Sequence, residues 1–391
     1  MNSIERREGR YQRRRAEREA RRRERAELYN FERVAYLESL YQAMKDARRG
    51  VFWKASVQRY NMNFLRNILR TAKELQAGVD VRKGFIKFDI IERGKKRHIQ
   101  SVHFSERVVQ RSLCVNALKP QIMPGLICDN GASLENKGIH FALNRLKAHL
   151  VRHYRKYGAE GYVVLVDFKG YYPNIQHAHL HELYKKKFGE DQKLVDLTML
   201  FVHAFGEQGL GLGSEKCQIA ALYYSSANDH YAKEVLRCKF YGRYMDDSYF
   251  ICESKERAHE VLAAMTARYE AIGITPHPHK TAIVKLSRGF SFLKTKFSLD
   301  PNTGRVILRP SRTSIARQRR KLKKFKKYHD AGEMDMDSIR NAYMSWRGYI
   351  KHTKAGLAIK NMDDLYKRLF GVSPLHKVEN HKEDKSNGKA D

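Results

Sequence analysis

Three carboxylates in this chain have the residue type and setting that phosphoryl chemistry asks for. Asp246 and Asp247 are adjacent in "YGRYMDDSYFIC", between "KFYGRY" and "SYFIC", two runs that would pair as a hairpin in a sheet. Asp167 lies 79 positions earlier (246 minus 167) and ends "YVVLV", an apolar, valine-rich run too short for a helix. Such a run predicts a strand buried on both faces. Carboxylate oxygens suit hard cations such as Mg²⁺, and two such ions a few Å apart stabilise both the attacking and the leaving oxygen of an in-line phosphoryl transfer. Two strand ends meeting in one sheet would build that clamp, whereas an acidic pair in an exposed turn adds only solubility.

The composition supplies the partner for such chemistry. The 391 residues carry 76 Lys and Arg against 43 Asp and Glu, a formal charge of +33, with 22 Tyr and 18 Phe available to stack on bases. That balance points to a polyanion, and the length allows a large core with two or three subdomains. No run of apolar residues is long enough to span a membrane, and the N-terminus is Arg, Glu and Ala where a secretory leader would be apolar, so a cytoplasmic protein with no membrane partner is expected. Cys114, Cys128, Cys217, Cys238 and Cys252 are scattered without a CxxC pair, which predicts reduced, buried thiols and neither zinc nor disulfides.

The elements that must position the aspartates follow from periodicity. The first thirty or so residues predict an extended charged helix, either solvated or lying along RNA or a partner protein. From Tyr36 to about Gln76 aromatics and leucines recur at helical spacing. "GFIKFDIIERGKKRHIQ" alternates around Arg93 and Gly94 as a basic hairpin. A helix capped by Ser105 and a second one ending at Gly158 come next. Residues 177–205 and 215–236 read as helices on either side of the glycine-rich "EQGLGLGSEK", and Val261, Leu262, Met265, Tyr269 and Ile272 share one helical face. Past residue 300 a basic helix, "SRTSIARQRRKLKKFKKYHD", precedes a second helical segment holding Trp346 and Leu365. The polar end of the chain lacks periodicity. Helices mixed with a strand hairpin give an α+β class, not a βαβ repeat.

Taken together and in order, these segments resemble the reverse transcriptase family, in the style of its prokaryotic members. "FYGRYMDDSYFI" is similar to the family's Tyr-x-Asp-Asp motif, "VLVDFKGYYPNI" to its first aspartate motif, "GLGLGSEKCQ" to the glycine-rich segment between them, and "PHKTAIV" with "GFSFLKTKF" to the lysine strand and primer-grip hairpin. "KKRHI", "SERVVQRSLCVNAL" and "SLENKGIHFAL" resemble the fingers pattern of bacterial enzymes, so the likeness covers roughly residues 85–370. It implies a right-hand polymerase: a basic helical arm over 1–35, fingers over 36–160, a palm with an antiparallel sheet over 161–300 with a fingers insertion near 177–215, a helical thumb over 301–370, and a disordered tail over 371–391.

The resemblance also implies roles. Asp167, Asp246 and Asp247 would be catalytic and, with the Phe168 carbonyl, would hold two Mg²⁺ ions, Mn²⁺ being able to substitute. Lys95, Arg97, Tyr172, Leu212, Gly213 and Lys280 would surround the deoxynucleoside triphosphate, Tyr172 by blocking a ribose 2′-hydroxyl and Lys280 by protonating pyrophosphate. Tyr244, Met245, Leu293, Lys294 and Trp346 would contact primer and template. His277 and His279 read as turn residues. The partners implied are an RNA template, a DNA or RNA primer, deoxynucleotides, and beyond these a structured non-coding RNA and an accessory protein.

Four positions depart from the common pattern. Leu212 stands where retroviral and group II intron enzymes have glutamine, Cys217 and Gln218 where intron enzymes have Ser-Pro, and Lys294 where the primer grip has glycine. The first of these is a feature of diversity-generating retroelements and of some defence-associated relatives, so an RNA-directed DNA polymerase of one of those two kinds is expected, with reduced base selectivity. A nucleic-acid-binding scaffold without catalysis is the reading from another class, and the full acidic set disfavours it.

Overall fold

The computed structural model describes residues 3–92 and 95–375, leaving aside the side chains of residues 92 and 95–97. The turn expected at Arg93 and Gly94, the Lys95 and Arg97 side chains, and the tail from residue 376 onward therefore lie outside the described residues. The chain divides into two compact units: the described residues up to 149 with 161–283, and 150–160 with the described residues from 284.

The first unit is built around a four-stranded sheet. "YVVLV" forms β3 (Tyr162–Val166) in its interior, in the order β4 (Tyr241–Tyr244), β5 (Asp247–Cys252), β3 and β6 (Ala282–Lys285), the last being where the chain passes to the second unit. Val163, Val164 and Val166 are buried, as the valine-rich run requires. β3 and β5 are antiparallel from Tyr162 opposite Cys252 to Val166 opposite Ser248, and β4 pairs β5 from Tyr241 opposite Phe250 to Tyr244 opposite Asp247. The helix Lys255–Glu270, capped by the Ser254 side chain, packs Val261, Met265 and Tyr269 onto this sheet.

Around this centre the sequence expectations fare differently. The basic hairpin forms as β1 (Phe85–Glu92) and β2 (Lys95–Val102), with Ile86, Phe88 and Ile90 exposed. The N-terminal helix Ser3–Leu28 has no buried residue. Ser105 is not a cap: the helix Phe104–Leu113 starts after His103, which puts Ser105 inside its first turn, and the backbone N–H of Lys83 is bonded by the buried Glu106 carboxylate. The stretch 177–205 divides into His177–Phe188 and Gln192–His203, because Gly189 takes a φ of +64° and Asp191 caps a new helix. All five cysteines are free, but Cys128 is exposed, lying in an irregular segment that no element covers.

The second unit holds a three-stranded antiparallel sheet of β7 (Phe290–Phe292), β8 (Thr295–Leu299) and β9 (Val306–Pro310). β9 occupies residues expected to belong to an all-helical region; the short Val-Ile-Leu run satisfies its backbone on β8. Helices Arg312–Asp330, Met336–Ile350 and Gly356–Phe370 pack around Leu322, Ile339, Tyr343, Met362 and Tyr366, so the single segment expected after the basic helix is two helices. Among the described residues the passage from the first unit to the second falls after Ile283.

The turn of β7 and β8 bears on the primer-grip departure. Phe292 pairs with Thr295, so Leu293 and Lys294 are the two turn residues, at φ of +45° and +63°. A two-residue turn with both φ positive favours Asn-Gly, since side chains other than Gly and Asn are strained there. Lys294→Gly, which restores the common residue, is expected to raise the stability of the protein by about 0.5–1 kcal/mol, read as a shift in urea midpoint at constant slope. An unmoved or lowered midpoint would contradict the strain argument.

Candidate active site

Asp167 follows Val166 directly, and the register that sets Val166 against Ser248 brings the next position, Asp167, across from Asp247. Asp247 is the first residue of β5, so the hairpin turn proper is Met245 and Asp246 and not the acidic pair. Met245 has a φ of +58°, strained for a residue with a Cβ. Something must hold it there, and the structure shows what does. Arg243 is fully buried, donates from Nη1 to the Met245 carbonyl at 3.0 Å and from Nη2 to the Leu222 carbonyl at 2.9 Å, and grips both carboxylate oxygens of the buried Asp229. Tyr241 donates to the same Asp229 carboxylate at 2.5 Å. The outer edge of β4 is covered as well: Arg243 donates to the Asp129 carbonyl and Gly131 donates back to the Arg243 carbonyl.

The electrostatics are those of acids pressed together. All three aspartates are partly buried. Burial pushes the Asp247 carboxyl up to about 7, with Asp246 and Asp167 adding to it as neighbouring negative charges. Asp246 is raised too, first by burial and then by Asp167. The Lys280 ammonium sits 3.1 Å from both Asp167 carboxylate oxygens. The Asp167 carbonyl accepts from the His277 backbone at 2.7 Å, which makes His277 a turn residue that fastens the strand end. Half-buried, mutually repelling oxygen donors fit a hard divalent cation by chemistry. Among the described residues, however, no group of three His, Cys, Asp or Glu side chains is gathered closely enough to enclose one.

Tyr172 reaches this hairpin, its hydroxyl 3.6 Å from the Met245 sulfur, and burial raises its pKa so that it stays a neutral phenol. Its neighbour Tyr171 is core, bonding Ala221 and Ser225. The glycine-rich segment is laced to Tyr172 through the Leu210 N–H on its carbonyl at 2.9 Å. Gly209 and Gly211 are required by crowding, since an added Cβ would lie 2.9 Å from the Pro173 carbonyl oxygen and 2.2 Å from the Phe205 ring. Gly213 faces open space at a φ of +91°, and Leu212 is 36% exposed beside it. Phe168 is buried against Tyr269, with ring centroids 4.7 Å apart.

The structure thus gathers Asp167, Asp246, Asp247, Lys280, Tyr172 and Met245, with Tyr244 paired opposite Asp247. Leu293, Lys294 and Trp346 belong to the second unit. There the Leu293 carbonyl accepts from Tyr349 at 3.0 Å, and the Trp346 indole lies against Tyr343 and bonds Ser314 at 3.4 Å. The residues that the motifs did not reveal are Arg243 and Asp229. An arginine inside an otherwise apolar strand was the available signal; the polar "SANDH" around Asp229 carried none.

A search of the curated proteins returns no significant match. A family model described as reverse transcriptase (RNA-dependent DNA polymerase) matches residues 87–297, from within the first strand of the basic hairpin into β8 and across all three aspartates. The fold of that family is the right-hand polymerase, an α+β architecture of the kind built here from helices and antiparallel sheets. Because the match takes in more than half of the 391 residues, the chain belongs to the reverse transcriptase family.

Proposed function

We propose that this reverse transcriptase copies an RNA template into DNA through Asp167, Asp246 and Asp247, in the cytoplasm, within a diversity-generating or related prokaryotic or phage retroelement. The observation that carries the catalytic part is the strand register that sets Asp167 across from Asp247 beside a turn carrying Asp246. Asp167, Asp246 and the Phe168 carbonyl would hold two Mg²⁺ ions, with Asp247 as a supporting charge. Such ions would supply Lewis-acid activation of a primer 3′-hydroxyl and charge neutralisation for the pyrophosphate. The 3′-oxygen forms its bond to the α-phosphorus as the bond to pyrophosphate breaks. Lys280, now on Asp167, would place a proton or a charge on the leaving group. Lys95 and Arg97 on the basic hairpin would hold the triphosphate, Leu212 and Gly213 would border the incoming base, and Tyr244, Met245, Leu293, Lys294 and Trp346 would contact primer and template.

Tyr172 would close the sugar site. Its phenol is held against Met245, where a ribose 2′-hydroxyl would meet the ring. Tyr172→Ala is expected to raise ribonucleotide incorporation at least about tenfold relative to deoxynucleotide, as removal of a steric gate worth more than 1.4 kcal/mol, in a single-nucleotide primer extension. Unchanged discrimination would remove Tyr172 from this role.

The reading is tested by supplying the purified protein with a primed RNA template, labelled deoxynucleotides and Mg²⁺, and sequencing the product. Errors concentrated at template adenines support the retroelement role that Leu212 suggests. Homopolymer or repeat products would move the role to phage defence, with DNA made from a dedicated RNA or without a template. Absence of any product from the complex with its own RNA would leave only a binding scaffold. Among the described residues no helix is long and apolar enough to cross a membrane.

A further inference from the structure

The N-terminal helix Ser3–Leu28 has eleven arginines, six glutamates and no lysine, and it buries nothing. The arginines are not spread evenly. Arg7, Arg10, Arg14, Arg18, Arg21 and Arg25 follow one another at intervals of three, four, four, three and four residues, so they form one stripe about 80° wide and about 27 Å long at 100° and 1.5 Å per residue. Glu5, Glu8, Glu19 and Glu27 fall on the opposite face, while Glu17 and Glu24 flank one edge of the stripe without an ion pair to it among the described residues. A helix kept soluble by its own charges would interleave the signs to gain pairs three or four residues apart. Here the ion pair within the described helix is Arg23 with Glu19, off the stripe, and none of the six stripe arginines forms an ion pair among the described residues. All six are exposed except Arg25, which is partly covered.

At its root the helix adds to the positive charge. Arg22, bordering the stripe, donates to the Lys186 carbonyl at 2.5 Å, beside the run Lys185, Lys186 and Lys187 at the end of the helix His177–Phe188. Burial, with Arg22 and Arg25 as like charges, lowers the Lys187 ammonium to about 8. Lys185 has Glu182 as an ion-pair partner at 4.0 Å, whereas neither Lys186 nor Lys187 forms an ion pair among the described residues, and such cations gain most from an added anion.

The alternatives differ in what they require. A membrane surface would ask for a continuous apolar face, and the large apolar residues of this helix are only Ile4, Tyr11 and Leu28. A single strand would ask for aromatic platforms, and Tyr11 is the one aromatic. A regular row of guanidinium groups suits the regular phosphates of a double helix. We infer that the arginine stripe of the N-terminal helix, with the lysines at its root, is a phosphate-binding track for duplex RNA, separate from the aspartate site. The choice of RNA rests on the proposed copying of RNA templates.

The test uses the full chain with Asp246→Asn and no deoxynucleotides, so that binding is measured whether or not the protein polymerises; a failure of the polymerase reading shows instead in primer extension by the unaltered protein. A labelled RNA duplex of arbitrary sequence is titrated at several salt concentrations. Changing Arg7, Arg10, Arg14, Arg18 and Arg21 to Gln is expected to weaken binding about tenfold or more near physiological salt and to lower the slope of log K against log salt by about 4–5, at about 0.9 per lost phosphate contact. The same five positions as Lys should keep the slope, and Glu8→Gln with Glu19→Gln should leave it intact. Unchanged affinity and slope in the Gln variant, loss of slope in the Lys variant, or tighter binding of a DNA duplex of the same sequence would each overturn the inference. Gln keeps helix propensity, and far-UV circular dichroism checks that the helix persists.

Discussion

Asp246→Asn is expected to abolish DNA synthesis on a primed RNA template, by a factor on the order of 10³ or more, while making the metal-free protein harder to unfold. The two effects share one cause. Asp246 and Asp247 are both raised by burial and by neighbouring carboxylates, so the charged site is held against its own repulsion by the surrounding fold. The sign of the pH dependence follows. A carboxyl whose folded pKa is raised to about 7 binds its proton in the folded state over a range where the unfolded chain has already released it. The contribution of Asp247 to the stability of the metal-free protein therefore falls as pH rises from about 4 to about 7 and levels off above, by about 2 kcal/mol once solvent screening is allowed for. Asp247→Asn should flatten that slope and raise the midpoint at pH 8. If both variants melt below the unaltered protein at pH 8, or if Asp246→Asn still extends the primer, the assignment fails on that count.

The second large effect belongs to Arg243. Arg243→Leu strands Asp229, which is 1% exposed, and frees the Met245 carbonyl. Breaking one side of a buried pair costs about 3–5 kcal/mol, whereas replacing both partners with apolar residues is often neutral. The single variant should lose that amount in denaturant unfolding, and Arg243→Met with Asp229→Leu should recover most of it. Activity should not return with stability, because the recovered protein still lacks the donor that holds Met245 at a positive φ beside Asp246. A single variant as stable as the unaltered protein would show that the pair is dispensable; a double variant with full activity would show that the turn holds itself.

How much of this was legible beforehand depended on how local the cause was. The run "YVVLV", the acidic hairpin, the exposed arginine helix and the buried face of Lys255–Glu270 rest on periods of two or 3.6 residues and on turns, which a short window contains. That local pattern, with its resemblance, was sufficient for the α+β class and for choosing Asp167, Asp246 and Asp247. It misplaced what depends on a competing partner: Ser105 as a cap, one helix for 177–205, one helical segment after Asp330, and a helical region where β9 pairs with β8.

The tertiary structure alone decided who meets whom. Lys280 lies on Asp167 from 113 residues away, Tyr172 reaches Met245 from 73, and Arg243 pairs with Asp229 inside the core. None of these contacts has a period, because each is chosen by the path of the chain between its ends. A buried charge is tolerable only where a partner reaches it, and that is known only once the sheet has closed. The sequence by itself determined which side chains could bind a metal and a phosphate; packing decided that the strained turn holding Asp246 hangs on a buried guanidinium.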